Sequence, residues 1–136
     1  MTEPTASTPA ATPTPGEEAT VEDLVADWLT VPDVAERLGV RLADVRRMIE
    51  DRVVLAHRVG ERRVVAIPAA FFDDEGALAA LPGTITVLGD GGLDDEEMLR
   101  WLFTVDDTLP LGGTPMDNIR GGRKTEVRRR AMELAL

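Results

Sequence analysis

The chain has 136 residues, of which 43% are hydrophobic and 4% aromatic, and it carries a formal net charge of −10 at pH 7. This length is typical of one domain or two very small ones, with a core of mostly aliphatic side chains. The absence of cysteine excludes disulfides, thiolate metal sites and cysteine nucleophiles. No apolar run approaches the roughly 20 residues that cross a bilayer, and the N-terminus lacks the pattern of a secretory signal. We therefore expect a cytoplasmic protein without membrane association.

Residue types used in catalysis are scarce. His57, Lys124 and Ser7 are the only residues of their kinds. A serine–histidine catalytic arrangement needs both groups in one rigid pocket, and Ser7 lies in a segment of low complexity. A multi-histidine zinc site is impossible within one chain. The composition therefore predicts a protein that is not an enzyme and has no cofactor, catalytic residue or metal site.

Charge is unevenly distributed along the chain. Residues 31–70 hold eight arginines against six acids, and residues 120–136 hold six basic residues against two acids. Residues 1–30 hold six acids and no basic residue, and residues 71–119 hold eleven acids against one arginine. Charges more than about 10 Å apart are largely screened at physiological salt, so binding depends on the field of one face. A nucleic-acid site would be built from the two basic blocks.

The first 19 residues are rich in proline, threonine and alanine and lack apolar periodicity, which predicts a disordered tail. Its hydroxyl groups would be accessible to a kinase. The candidate phosphorylation sites are Thr5, Thr8, Thr12 and Thr14. A tail that only solubilises the chain is the alternative.

A first helix is predicted to begin at Thr20, because Thr20 and Asp23 resemble a capping pair and apolar residues within 21–29 share one helical face. Two short helices are predicted next, at residues 33–38 and 42–51. The apolar residues expected to pack between and beneath them are Val34, Leu38, Val40, Leu42, Val45, Met48 and Ile49.

The turn between these two helices has a specific spacing. Ala35 is followed by Gly39 four residues later, by Val45 six residues beyond that, and by Met48 three further. This pattern resembles the helix-turn-helix signature, in which a small residue permits a close helix crossing and a glycine permits the tight turn. An ordinary corner between two helices is the alternative.

Basic side chains surround this motif. The second helix would direct arginines outward, and arginine binds phosphates or the edge of guanine. Two β-prone runs, residues 53–59 and 62–67, predict a hairpin turning at Gly60-Glu61. A helix-turn-helix followed by a basic hairpin is the layout of a winged helix, whereas a charged, protected sheet edge is the alternative. The candidate DNA-contacting residues are Arg41, Arg46, Arg47, His57, Arg58, Arg62 and Arg63.

The second half is predicted to be helical. Expected helices lie at residues 94–103, 115–119 and 123–134, and one turn or a short helix is expected at 68–72 and another at 76–81. Residues 82–88 are β-prone but also have helical spacing, and a helix is preferred there. The glycine-rich loop at 89–92 lacks the GK[ST] continuation of a phosphate-binding loop and precedes four acids, so it is interpreted as a turn. Arg128, Arg129 and Arg130 would either contact the DNA backbone or solvate the last helix.

The predicted fold is mainly α, a winged helix-turn-helix with a β-hairpin wing followed by a small C-terminal helical domain. The expected boundaries are residues 1–19 for the tail, 20–74 for the DNA-binding domain and 75–136 for the C-terminal domain.

Residues 31–68 resemble the winged module of excisionases and of the MerR group. Residues 31–133 are similar to a family of small actinobacterial DNA-binding proteins, on the segments VAERLGV, VAIP, LPGTITVLGDGG and EEMLRWLFTVDDTL and on the arginine-rich end. A mycobacterial member of that family is a substrate of a serine/threonine protein kinase, modified on its N-terminal tail. The resemblance implies a sequence-specific DNA-binding protein and transcriptional regulator. Its partners would be double-stranded DNA and such a kinase.

Residues 101–103 (WLF) and 113–117 (GTPMD) resemble the C-terminal domain of Xre/MbcA/ParS-type antitoxins, although residues 105–107 (VDD) replace the proline-containing turn of that pattern. This resemblance implies self-association or a protein partner for residues 76–136. The alternative function is thus a protein-interaction module, antitoxin-like or an adaptor, whose acidic residues 71–119 bind a basic protein.

Overall fold

The computed structural model describes residues 19–135, and the four candidate threonines lie outside this range. Its helices are α1 (Val21–Leu24), α2 (Val31–Leu38), α3 (Leu42–Glu50), α4 (Leu81–Asp90), α5 (Asp95–Leu102), α6 (Pro115–Arg120) and α7 (Lys124–Met132). Its strands are β1 (Trp28–Thr30), β2 (His57–Val59), β3 (Val64–Pro68), β4 (Phe72–Asp73) and β5 (Gly76–Ala77). Short 3-10 turns lie at Ala69–Phe71 and Glu133–Ala135. None of the described helices is long and apolar enough to cross a membrane.

The predicted helix-turn-helix is confirmed, and its local cause is visible at both ends of α2. The Thr30 hydroxyl accepts the Asp33 N–H and the Asp33 carboxylate accepts the Thr30 N–H, each at 3.2 Å, which begins the helix. Gly39 adopts a left-handed φ of +68°, and the Val40 N–H then donates to the Ala35 carbonyl at 3.0 Å. This glycine-dependent end reverses the chain and starts α3 three residues later.

The two helices pack through small aliphatic side chains. Val34 and Val45 are fully buried, and Met48 and Ile49 are half-buried against them. The predictions that Val40 and Leu42 pack between or beneath the helices are wrong, since their side chains are 39% and 41% exposed. Both residues flank the turn between α2 and α3, where their side chains are exposed to solvent.

The wing is part of a three-stranded antiparallel sheet with strand order β1-β3-β2. The hairpin of β2 and β3 agrees with prediction, but the expected first helix over residues 21–29 is wrong beyond Leu24. Residues 28–30 instead form β1, with Trp28 opposite Pro68 and Thr30 opposite Ala66. Pairing with β3 satisfies the backbone groups of this segment, and periodicity cannot reveal such a distant partner.

The predicted helix at residues 76–81 is also wrong. Gly76–Ala77 pairs with Phe72–Asp73 in a small hairpin, in which the Asp73 carboxylate accepts the Glu75 N–H at 2.8 Å and Gly76 adopts a φ of +121°. A helix begins only at Leu81 and continues through Gly89 and Asp90, so the glycine-rich turn is confined to residues 91–92. The other helices expected in this half are confirmed as α4, α5, α6 and α7.

One hydrophobic core extends through both halves of the described chain. It runs from Val25 and Phe72 in the first half to Leu99, Leu102 and Val127 in the second. Polar contacts join the same halves. The Arg52 guanidinium lies 2.6 Å from the Asp95 carboxylate, and Arg120 donates to the carbonyls of Ala70 and Phe72, both at 2.8 Å. These contacts hold the C-terminal helices against the winged part.

Candidate nucleic-acid interface

The outer face of α3 carries the first group of predicted residues. Arg46 and Arg47 are exposed, as is Ala43, whereas Val45 of the same helix is buried. Holding one face of α3 in the core directs the two guanidinium groups into solvent. The outer face of α3 therefore presents two arginines to solvent.

Arg41 is the N-cap residue of α3 and also stabilises the start of that helix. Its backbone N–H donates to the Asp44 carboxylate at 3.0 Å, and its guanidinium Nε approaches the same oxygen at 3.4 Å. The backbone N–H first, and then the guanidinium, lower the pKa of Asp44 from its usual value. The Arg41 side chain is 85% exposed, so part of its guanidinium remains accessible to a ligand.

The tip of the wing is a tight turn of residues 60–63. The Arg63 N–H donates to the Gly60 carbonyl at 3.1 Å, and Arg63 adopts a φ of +54°, which is uncommon for a residue other than glycine. The Arg58 guanidinium donates to the Arg63 carbonyl at 3.1 Å. Arg58 thus supports the turn from β2, while Arg62 and Arg63 are exposed at its tip.

Helix α1 and strand β1 fix the position of the wing. The Gly60 N–H donates to both carboxylate oxygens of Glu22, each at 3.2 Å, and Trp28 Nε1 donates to the Glu22 carbonyl at 3.2 Å. The Trp28 ring stacks on His57 with 6.0 Å between ring centroids. His57 is therefore half-buried at the base of the wing rather than at its tip. Sequence reasoning missed Glu22 and Trp28 as wing supports, because no local pattern signals these contacts.

Helix and wing together form two adjoining grooves that share Ile49 and Val65. Arg46 lines the first groove, about 430 Å³ in volume, beside Val64 of β3. His57, Arg58 and Arg63 line the second, also about 430 Å³. The structure thus gathers four of the seven predicted residues at the junction of α3 and the wing. Arg41, Arg47 and Arg62 lie outside both grooves, exposed at the helix start, the helix face and the wing tip.

The arginines near the C-terminus have internal partners. Arg128 donates to the Ala80 carbonyl at 2.9 Å, and the Arg130 guanidinium lies 3.2 Å from the Asp106 carboxylate. Arg129 pairs at 3.3 Å with a glutamate one helical turn away. These side chains join α7 to neighbouring segments or to itself, a role that sequence reasoning did not foresee.

The acidic side chains do not form a metal centre in the part of the chain that the structure describes, where no group of three His, Asp or Glu residues could hold an ion. Several of them cap helices instead: Asp33, Asp44, Glu97 and Asp117 each accept a backbone N–H at a helix start. At the candidate interface the arginines therefore stand beside only two other ionisable side chains in the groove linings, Glu50 and His57.

A helix-turn-helix joined to a basic β-hairpin defines a winged helix-turn-helix protein. Residues 18–72 match the family described as "DNA-binding protein Rv2175c, wHTH domain", and residues 78–135 match "Rv2175c C-terminal domain of unknown function". The chain belongs to the Rv2175c family. Its predicted membership in a family of small actinobacterial DNA-binding proteins is thereby confirmed.

Individual relatives agree with this assignment. The DNA-binding protein Rv2175c of Mycobacterium tuberculosis is 36% identical over 118 residues, which cover 77% of this chain and 78% of that protein. The NMR structure of Rv2175c superposes with a TM-score of 0.69 at 34% identity, covering 81% of this chain and 82% of the other. The similarity therefore includes both the winged part and the C-terminal helices.

Proposed function

We propose that this protein is a sequence-specific DNA-binding protein and transcriptional regulator that binds double-stranded DNA through α3 and the wing. The observation that carries the proposal is the junction of two elements, where Arg46 on α3 and Arg58 and Arg63 on the wing line adjoining grooves. A helix enters the major groove while a hairpin at its side contacts the phosphate backbone or the adjacent minor groove. Residues 20–74 would form this DNA-binding unit.

The contacts of each arginine suggest a division of roles. Arg46 and Arg47 extend from the face of α3 that would enter the groove, so they are assigned to base edges or to the phosphates flanking them. Arg62 and Arg63 at the wing tip are assigned to phosphates. Leu42 is exposed at the start of the same helix, where its apolar side chain suits contact with a thymine methyl group.

Selection from a pool of random duplexes tests this function. The proposal predicts an enriched motif bound at least about 10³-fold more tightly than random duplex, the lower range for specific DNA readers. Recovery of no motif, with equal affinity for all duplexes, would contradict sequence-specific binding. Absence of any binding would favour the alternative of a protein-interaction module.

Regulation through the N-terminal tail is a second part of the proposal. A phosphate on Thr5, Thr8, Thr12 or Thr14 would add a charge of about −1.5 to −2 near neutral pH. The tail joins the described chain at Ala19, whose carbonyl accepts a hydrogen bond from Arg100 at 2.6 Å. With the coil dimensions expected of such a segment, about 18 residues would reach roughly 20–25 Å, enough to compete with DNA for the wing arginines.

The tail hypothesis requires three forms of the protein: intact, kinase-treated, and starting at Thr20. The kinase-treated form should bind DNA more weakly than the other two, because the added phosphate competes with DNA for the wing arginines. Equal affinity in all three forms would leave the tail without regulatory effect.

The C-terminal half offers a surface for association. Three large apolar side chains there are markedly exposed, Val105 at 62%, Leu111 at 51% and Met132 at 55%. We propose self-association or a protein partner for residues 76–136, with the acidic side chains of residues 71–119 as the alternative contact.

Sedimentation equilibrium tests self-association. The apparent mass should rise with protein concentration, and this rise should be smaller in a Val105→Asp variant. A monomer at all concentrations would exclude self-association.

A further inference from the structure

A groove of about 420 Å³ lies at the junction of the two halves and shares no lining residue with the grooves of the candidate DNA interface. We call it the junction groove. Its lining residues are Leu24, Val25, Ala26, Asp27, Arg37, Ala69, Ala70, Phe72, Phe103, Thr114, Asp117 and Arg120. They come from the end of α1, α2, the segment after β3, the end of α5 and α6. The size is that of a small-molecule site.

The floor of the junction groove is apolar and well packed. Phe72 is 1% exposed and Phe103 is 9% exposed. Phe103 packs against Phe71 with 5.8 Å between ring centroids, which holds it in place. The two rings close the base of the groove, and the apolar surface open to a ligand lies mainly on Leu24 and on Ala26, Ala69 and Ala70.

Two arginines from opposite halves converge on Phe72. The Arg37 guanidinium lies 5.9 Å from the centre of the Phe72 ring, and among the described residues it forms no ion pair. Arg120 donates through Nη1 to the carbonyls of Ala70 and Phe72. Its remaining N–H groups make no bond within residues 19–135. Both guanidinium groups thus contact Phe72, and within residues 19–135 neither is paired with a carboxylate. Two such groups can together bind the carboxylate of a ligand.

Two carboxylates line the same groove. The Asp27 carbonyl accepts the Ala69 N–H at 2.9 Å, which fixes the backbone of this residue, and Asp117 accepts the Thr114 N–H at 2.9 Å. In the described chain neither carboxylate forms an ion pair with Arg37 or Arg120. Positive and negative groups therefore occupy one groove without neutralising each other through direct contact. A simple anion would meet the carboxylates, and a simple cation would meet the arginines.

We infer that the junction groove binds a small zwitterion with an apolar body, a free α-amino acid with an apolar side chain. Its carboxylate bonds to Arg37 and Arg120, its ammonium group faces Asp27 and Asp117, and its side chain lies against Leu24 and the alanines of the groove. This inference does not depend on DNA binding, because none of these residues belongs to the DNA interface. Since Arg37 lies on α2 and Arg120 on α6, the ligand connects the two halves.

Calorimetric titration of the full chain with leucine and phenylalanine, up to about 10 mM, tests the inference. We expect saturable binding at one site and a rise in the thermal midpoint with ligand concentration. N-acetylleucine, which lacks the ammonium group, and leucinamide, which lacks the carboxylate, should each bind at least tenfold more weakly. No saturable binding of leucine, phenylalanine, isoleucine, valine or methionine would overturn the inference. Binding of N-acetylleucine as tight as that of leucine would also overturn it.

Variants locate the site. Arg37→Gln should weaken leucine binding at least tenfold, because it removes a charge-assisted contact to the carboxylate. Arg37 is exposed and forms no ion pair with any residue between 19 and 135, so the fold should persist, and circular dichroism checks this. Arg62→Gln removes the same charge at the wing tip and should bind leucine as the native chain does. Undiminished leucine binding in a folded Arg37→Gln protein would place the site elsewhere and contradict the inference.

Discussion

The guanidinium of Arg52 lies 2.6 Å from Asp95, and that of Arg128 reaches the Ala80 carbonyl at 2.9 Å. In contrast, Arg46 and Arg47 extend from α3 without any bond to the rest of the described chain. Arginines of the first kind hold the fold together, whereas those of the second kind have their donors available to an external acceptor. This difference in partners separates Arg46 and Arg47 from the arginines that hold the fold, and the position of α3 beside the wing distinguishes them from other exposed basic residues.

Replacing Arg46 and Arg47 with alanine should abolish specific DNA binding while leaving the fold intact. Each lost contact to a base or phosphate costs about 1–3 kcal/mol, so the loss of two should weaken binding at least about 30-fold. Fluorescence anisotropy measures the loss and circular dichroism checks the fold. The matched control is Arg123→Ala with Lys124→Ala, which removes two exposed charges at the start of α7. Equal effects of the two double variants would mean that α3 is not the reading helix.

A charge introduced into the core of the helix-turn-helix should unfold it rather than only weaken DNA binding. Val45 is fully buried, so Val45→Asp places a carboxylate among aliphatic side chains and should lower the thermal midpoint sharply or unfold the protein. Ala43→Asp is the control, since it adds the same charge to the exposed face of the same helix. It should stay folded and bind DNA more weakly. A thermal midpoint for Val45→Asp equal to that of Ala43→Asp would contradict the packing described.

Among the elements, those with local signals were predictable from sequence. The turn at Gly39 and the apolar spacing of α3 each depend on residues only a few positions apart in the chain. Strand β1 was not predictable, because its partner β3 is distant in the chain and only the folded structure joins Trp28 to Pro68. Tertiary pairing decided the conformation of residues that also fit a helical pattern.

The candidate site, too, could be predicted only where its signals are local in the chain. The basic residues of α3 and of the wing follow from local patterns, which is why sequence reasoning selected them. The contact between Glu22 and Gly60 spans 38 residues and determines where the wing lies. Sequence reasoning therefore selected the candidate side chains but not the contacts that orient them.

Glu22 should hold the wing tip in place through its hydrogen bonds to Gly60. Glu22→Ala removes the acceptor of the Gly60 N–H, so hydrogen exchange of that amide should accelerate about tenfold, equivalent to a local loss of about 1.4 kcal/mol. Glu22→Gln retains an acceptor oxygen and should preserve much of the protection. Exchange at Gly60 that is the same in both variants and in the native protein would show that Glu22 does not hold the wing.

Across the whole molecule, carboxylates in both halves should make stability depend on pH. The hydroxyl and backbone N–H of Thr108 and the nearby Arg130 lower the pKa of Asp106, as Arg41 lowers that of Asp44. A carboxyl whose pKa is lower in the folded state stabilises the protein above its unfolded pKa, and this contribution is lost as pH falls through the folded pKa. The free energy of unfolding in urea should therefore decrease as the solution is acidified below about pH 4.

Asp106→Asn isolates one of these groups. The variant should be less stable than the native chain at neutral pH, and the difference should shrink towards zero in acid. Asp107→Asn removes the same formal charge from an exposed neighbour and serves as the control. A difference between Asp106→Asn and the native chain that stays constant from neutral to acidic pH would contradict the role assigned to this carboxylate.

DNA binding by a chain of net charge −10 requires that one face attract phosphate despite the acidic remainder. The direct test is the affinity for a duplex measured over a series of salt concentrations. If the arginines of α3 and the wing neutralise about five phosphates, the logarithm of the association constant should fall against the logarithm of salt concentration with a slope of about −4 to −5. A slope near zero would contradict phosphate docking through this face.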